Sequence, residues 1–97
     1  MTVRLFIISY DIADDDRRAA IAACLESFGR RLQFSVFECA LSDIARARLL
    51  TRLQALINHG EDQVLVFDLG ALEARAKTAV EWIGLPYHLP DQGPIVV

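Results

Sequence analysis

The residues best suited to chemistry crowd into "ISYDIADDDRR", residues 8–18, where the carboxylates Asp11, Asp14, Asp15 and Asp16 run straight into Arg17 and Arg18. A carboxylate is a hard oxygen ligand for a divalent cation, and a guanidinium grips phosphate with two parallel donors. Side by side, these types can bring a cation and a polyanion to one place. Mg²⁺ keeps several waters and needs only one or two carboxylates when a phosphate supplies the rest. Asp11, directly behind an apolar run, is the best-placed single ligand for metal and for catalysis. A two-fold dimer would set a second Asp11 across its axis, and two close carboxylates repel unless a cation or a proton lies between them.

Each of these residues also has a plainer reading. A lone carboxylate in a strand-to-helix turn is ordinarily a cap or turn residue. Asp14, Asp15 and Asp16 fall at the cap and first turn of a helix, where the helix dipole favours each negative charge by about 0.3–1 kcal/mol. Arg17 and Arg18 sit too early in that helix to complement its dipole, so they call for an outside anion or a carboxylate partner. Arg30 and Arg31 form a second basic pair, read either as a solvated strand entrance or as a phosphate contact. Arg46, Arg48 and Arg52 read as the solvated side of a second helix. Phe28, Phe34 and Phe37 are expected in the core rather than as base-stacking platforms. His59 and His88 are isolated, no Ser-His-Asp or Cys-His set can be assembled, and no glycine-rich phosphate loop occurs. Metal-assisted hydrolysis remains open.

The elements that must position these groups follow from hydrophobic period. "VRLFIISY", 3–10, is nearly continuous in apolar character, as expected of a strand central in a sheet. Ile21, Cys24, Leu25 and Phe28 recur at helical spacing before Gly29, predicting a helix over 14–28. In "RRLQFSVFECAL" apolar and polar residues alternate, hence strand. The pattern fits one strand to Leu41 or two short strands with a bend near residues 35–37. Ser42 caps a second helix striped by Leu49, Leu50, Leu53, Leu56 and Ile57 and ended by Gly60. "QVLVFDL", 63–69, is a further strand. Leu72, Ala76, Val80 and Ile83 suggest a short helix within 71–84, and "PIVV" a terminal strand near 94–97 that must borrow an edge. The expected fold is α+β, two helices on one face of an antiparallel sheet, a ferredoxin-like sandwich in a single domain over 1–97 with its core at 3–69 and an extension at 70–97.

With 97 residues, 54% of them hydrophobic and 24% charged, the chain is a folded one whose small core favours pairing with a second copy. No apolar run approaches a membrane span and no signal-peptide layout precedes the first strand, so a cytoplasmic location is expected. Cys24 and Cys39 lack metal-ligand spacing and are expected as buried, reduced thiols. Net charge is −3, yet residues 1–60 hold eight arginines against seven acids while 61–97 hold Arg75 and Lys77 against six acids. Nine of the ten basic residues are arginine, so a polyanion site belongs in the first two thirds.

"ISYDIADDDRRAAIAACLESFGRRLQFSVFE" resembles the amino-terminal signature of the small CRISPR-associated Cas-two family, through YDI, DDxRR and LExFGxRxQxSVFE. The resemblance covers about residues 3–69. It implies a ferredoxin-like β-α-β-β-α-β domain in a two-fold homodimer, with a carboxy-terminal strand added to the partner's sheet, and favours the two-strand reading of residues 31–41. It further implies that Asp11 faces its symmetry mate and shares a divalent metal, usually Mg²⁺. Tyr10 and Asp11 match the family's YD pair, Arg17 and Arg18 its basic residues after the acidic run, Arg31 the basic residue before the glutamine, and Phe37 the SVF aromatic. With Arg30 these are the expected nucleic-acid contacts. Some members are reported to cleave RNA or DNA, and in others the dimer is a scaffold between integrase subunits during capture of spacer DNA. The implied partners are therefore a second copy, a CRISPR integrase subunit, and duplex DNA or single-stranded RNA. The 71–84 stretch lies outside the resemblance.

Overall fold

The first apolar run is the hub of the molecule, which is described here from a computed structural model over residues 2–90. It forms β1 (Arg4–Asp11), followed by α1 (Asp15–Glu26), β2 (Arg30–Gln33), β3 (Val36–Leu41), α2 (Asp43–Leu56) and β4 (Gln63–Ala71). The strands make one sheet in the order β2-β3-β1-β4, every neighbouring pair antiparallel. This is the ferredoxin-like element order, with β1 central as its apolar continuity demands. The basic segment after α1 folds as two strands joined by a turn at Phe34 and Ser35.

Alternation along β1 divides its side chains between two environments. Phe6, Ile8 and Tyr10 point to the helical layer with Phe37, Cys39 and Leu41 of β3, and pack against Ile21, Ala22 and Leu25 of α1 and Leu49 and Leu53 of α2. Full burial of such side chains contributes about 1.5–3 kcal/mol each. The helices begin where capping chemistry allows: Asp14 accepts from the Arg17 amide at 2.9 Å and Ser42 from the Ala45 amide at 3.2 Å. Gly29 is required by close approach, because a Cβ there would overlap the Glu38 carbonyl and sit 2.7 Å from Cys39 Sγ.

The opposite face carries Leu5, Ile7, Ser9 and Asp11 of β1, Leu65 and Phe67 of β4, and Val36, Glu38 and Ala40 of β3. It has no helical cover. At the Leu5 end, Leu72 and Ala76 fold back over it to form a second small core with Val3, Ala40, Leu69 and Leu89 nearby. Further along the sheet, Leu65 and Phe67 stay 44% and 48% exposed. Among the described residues, one sheet face is thus closed at one end and bare at the other.

The helix expected within 71–84 is reduced to a single 3₁₀ turn, Arg75–Thr78. Leu72 and Ala76 of the apolar spacing are buried, whereas Ile83 is fully exposed. A one-turn element has no second turn to stack, and Gly84 adopts a positive φ of 93° that leads the chain away. The terminal strand expected near 94–97 lies outside the described residues. No helix among them is long and apolar enough to cross a membrane.

Candidate functional site

Asp11 closes β1 opposite Gln63 of β4, at the bare end of the uncovered face, and is exposed. Its carboxylate enters none of the ion pairs among the described residues. The next residue, Ile12, is 4% exposed and plugs the core, so the chain is anchored immediately beyond Asp11. Arg18 reaches back from the first turn of α1. One guanidinium nitrogen donates to the Ile12 carbonyl at 3.1 Å and another to Asp15 Oδ1 at 2.7 Å. With five N–H donors on a guanidinium, these bonds leave others free.

The β2–β3 turn completes the neighbourhood. The Tyr10 amide donates to the Ser35 carbonyl at 3.1 Å and the Tyr10 hydroxyl to the Phe34 carbonyl at 3.2 Å, pinning the turn to β1. Tyr10, Asp11, Ile12, Arg18, Phe34 and Ser35 together line an open depression of about 250 Å³. Phe34, expected in the core, is instead 74% exposed at the tip of the turn. The alternation that placed it inward stops where the strand bends.

The other expected contacts are distributed elsewhere. Arg17 points away from Asp11 and onto Asp62, with Nε to Oδ2 at 2.8 Å and a second nitrogen to Oδ1 at 3.2 Å. Asp62 also accepts from the amides of Ala13 at 3.0 Å and Asn58 at 2.8 Å, and its side chain is shielded from solvent. The Arg17 hydrogen bond, helped by both amides, holds the Asp62 carboxyl far below the ordinary carboxylate range. This carboxylate partner for Arg17 could not be read from spacing, since the two residues lie 45 positions apart.

Arg30 donates to the buried Glu38 at 2.7 Å and also bonds the His88 carbonyl. The Tyr87 hydroxyl donates to the other Glu38 oxygen. Burial, and then the Glu38 carboxylate, raise the Tyr87 hydroxyl pKa well above that of an ordinary tyrosine. Arg30, Glu38 and Ile7 occupy one rung across the sheet, four residues before Asp11, on the order of 13 Å along the strand. Arg31 lies on the helical side with its guanidinium 5.1 Å from the Phe37 ring centre. Phe37 is completely buried and Tyr10 nearly so, both rings lying within the core cluster. Of the expected residues, the structure gathers Tyr10, Asp11 and Arg18, with Tyr10 as support.

Cys24 is half-buried and Cys39 buried, both free, and burial pushes the Cys39 thiol up to about 12. Among the described residues no group of three or more His, Cys, Asp or Glu side chains could hold a metal within one chain.

The family model of CRISPR associated protein Cas2 matches residues 4–76, which include the whole sheet, both helices and the Asp11 end. The chain belongs to the Cas2 family. It is 37% identical over 93 residues to a CRISPR-associated endoribonuclease Cas2 of Synechocystis sp., covering 96% of this chain and 98% of the relative. Among solved structures, it resembles Streptococcus pyogenes Cas2 with a TM-score of 0.69 and 25% identity, over 82% of this chain and 99% of the other. A chain of a partial Cas6-RT-Cas1–Cas2 complex matches with a TM-score of 0.60 and 30% identity, over 68% of this chain and 78% of that one. The Cas2 family match ends beside the 3₁₀ turn. Glu38 lies inside that match and Tyr87 beyond it.

Proposed function

We propose that this Cas2-family chain works as a two-fold pair that binds nucleic acid and bridges integrase subunits during CRISPR adaptation. The observation that carries the reading is the exposed Asp11, in no ion pair among the described residues, at the end of a strip formed by half-buried Ile7 and exposed Leu65 and Phe67, with Arg18 beside it. An apolar strip of this kind on a small domain favours covering by a second copy, which would bring the two Asp11 carboxylates toward one seam. The seam is bordered by Arg18, and Arg31 adds a cation on the helical side of the outer strand. The likeness to a chain of a Cas1–Cas2 complex supports an integrase partner. Sedimentation of the purified chain, co-purification with an integrase subunit, and binding to duplex DNA at low salt test the proposal. A monomer that binds neither partner nor DNA would refute it.

A second reading, a metal-dependent phosphodiesterase acting on RNA or DNA, is favoured by the open Asp11–Arg18 depression and by relatives named as endoribonucleases. The donor set fits Mg²⁺ in kind, since Asp11 offers hard oxygens, and in number only when two chains contribute. When bound there, such an ion supplies an activated water and a Lewis acid for the phosphoryl oxygen. The chain's own part is to hold the substrate: Arg18 positions the phosphate while Ile12 anchors the backbone that carries Asp11. Cleavage by wild type in Mg²⁺ that disappears with chelator and in Asp11→Ala is the expected result. Equal cleavage by wild type and variant would exclude it.

A further inference from the structure

We propose that Phe34 stacks the base of an unpaired nucleotide whose phosphate is held by Arg18 at the rim of the Asp11 depression. The inference rests on the nucleic-acid reading of this site and names the feature of the substrate that the site selects. Phe34 is 74% exposed and belongs to neither hydrophobic cluster among the described residues, so fold packing does not explain an aromatic side chain there. Nor does it float. Its own carbonyl and that of Ser35 are both tied to Tyr10, a residue 5% exposed within the central strand, so the backbone that carries the ring is held to the sheet. With the backbone held, only the ring's own rotations have to be ordered when something stacks on it.

Phe34 shares its depression with Asp11 and Arg18, a small volume of about 250 Å³ open to solvent. That combination matches one nucleotide, with an apolar face for the base and a cation for the phosphate. It is a poor match for an apolar protein surface, because covering the Arg18–Asp15 pair would strip water from charged groups. Inside a duplex both faces of every base are occupied by its neighbours. Away from the ends of a duplex, only an unpaired base can turn a face to Phe34.

The test measures fluorescence anisotropy of a labelled ten-nucleotide single strand and of a hairpin duplex, at low salt, for wild type, Phe34→Ala, Phe34→Leu and Phe34→Trp. Stacking on an aromatic side chain predicts that Phe34→Ala and Phe34→Leu lower the ratio of single-strand to duplex affinity by about 5- to 100-fold. Phe34→Trp keeps the ratio, and its added indole emission is quenched by the single strand. An unchanged ratio, equal losses on both probes, or a smaller sedimenting species in Phe34→Ala would overturn the assignment, the last by giving the ring to a second copy. Wild type that binds neither probe would remove the parent reading together with this one. Wild type that binds both with an unmoved ratio would remove this one alone.

Discussion

Two carboxylates stand at the same end of the sheet, Asp11 closing β1 and Asp62 just before β4, and they are used in opposite ways. Asp62 accepts two backbone amides and a two-pronged arginine, and its side chain is wholly covered. Asp11 is exposed and enters no ion pair among the described residues. The difference teaches which charge is available for work: the satisfied acid ties the β1–α1 turn to the α2–β4 loop, and the unsatisfied one faces outward. Arg17 and Arg18 repeat the contrast one residue apart. Arg17 is paired with the internal acid, whereas Arg18 lines the rim of the Asp11 depression.

The sharpest way to break this contrast is to remove each acid in turn. Asp62→Ala leaves a guanidinium and two amides without their acceptor, and is expected to lower the melting temperature by roughly 5–10 °C. Asp11→Ala should leave the melting temperature within about 2 °C, as for a surface change that breaks no contact. Comparable thermal losses in the two variants would erase the distinction.

Next in size is the arginine pair, read by oligonucleotide anisotropy and thermal melts together. Arg18→Ala should weaken binding at low salt by about 5-fold and flatten its salt dependence by about one phosphate contact, with folding retained. Arg17→Ala should act mainly on stability. Reversal of these two outcomes would mean that Arg17 faces the ligand in the working assembly.

Acid titration sharpens the same point. Because the folded pKa of Asp62 is depressed, its contribution to stability is complete above the ordinary aspartate value of about 3.9 and is lost as pH falls through the depressed value. The gap in melting temperature between wild type and Asp62→Asn should therefore be widest near neutral pH and narrow toward about pH 2. A gap that stays constant with pH would show that the lost hydrogen-bond geometry, not the charge, matters.

The smallest effect concerns the covered end of the bare face. Tyr87→Phe removes one hydroxyl donor from Glu38 while Arg30 remains, so a loss of about 1 kcal/mol in urea unfolding is expected. Faster amide exchange confined to residues 80–90 would locate that loss in the segment that crosses β2 and β3. Uniform acceleration throughout the sheet would place it elsewhere.

Much of this molecule was legible in advance because its signals are local. The apolar continuity of β1, the helical spacing of Ile21 and Leu25, and the caps Asp14 and Ser42 each involve residues within one or two turns of each other, and each element formed where expected. Asp11 was legible for the same reason: a carboxylate that directly ends a central strand must emerge at the sheet's end. Phe34 was misread because alternation through Leu32, Phe34 and Val36 assumes an unbroken strand, and the turn at Phe34 and Ser35 resets the period. The apolar spacing over 71–84 misled in turn, since only Leu72 and Ala76 meet a layer to pack on.

The amino-acid sequence alone determined the order of strands and helices and the position of Asp11, since hydrophobic period and capping act between near neighbours. Tertiary structure decided how the charges are spent: Arg17 on Asp62 across 45 positions, Arg30 and Tyr87 on Glu38, and Arg18 at an open rim beside a bare aromatic ring. A guanidinium takes whichever acceptor the fold brings within about 3 Å, and that proximity exists only after the sheet has closed.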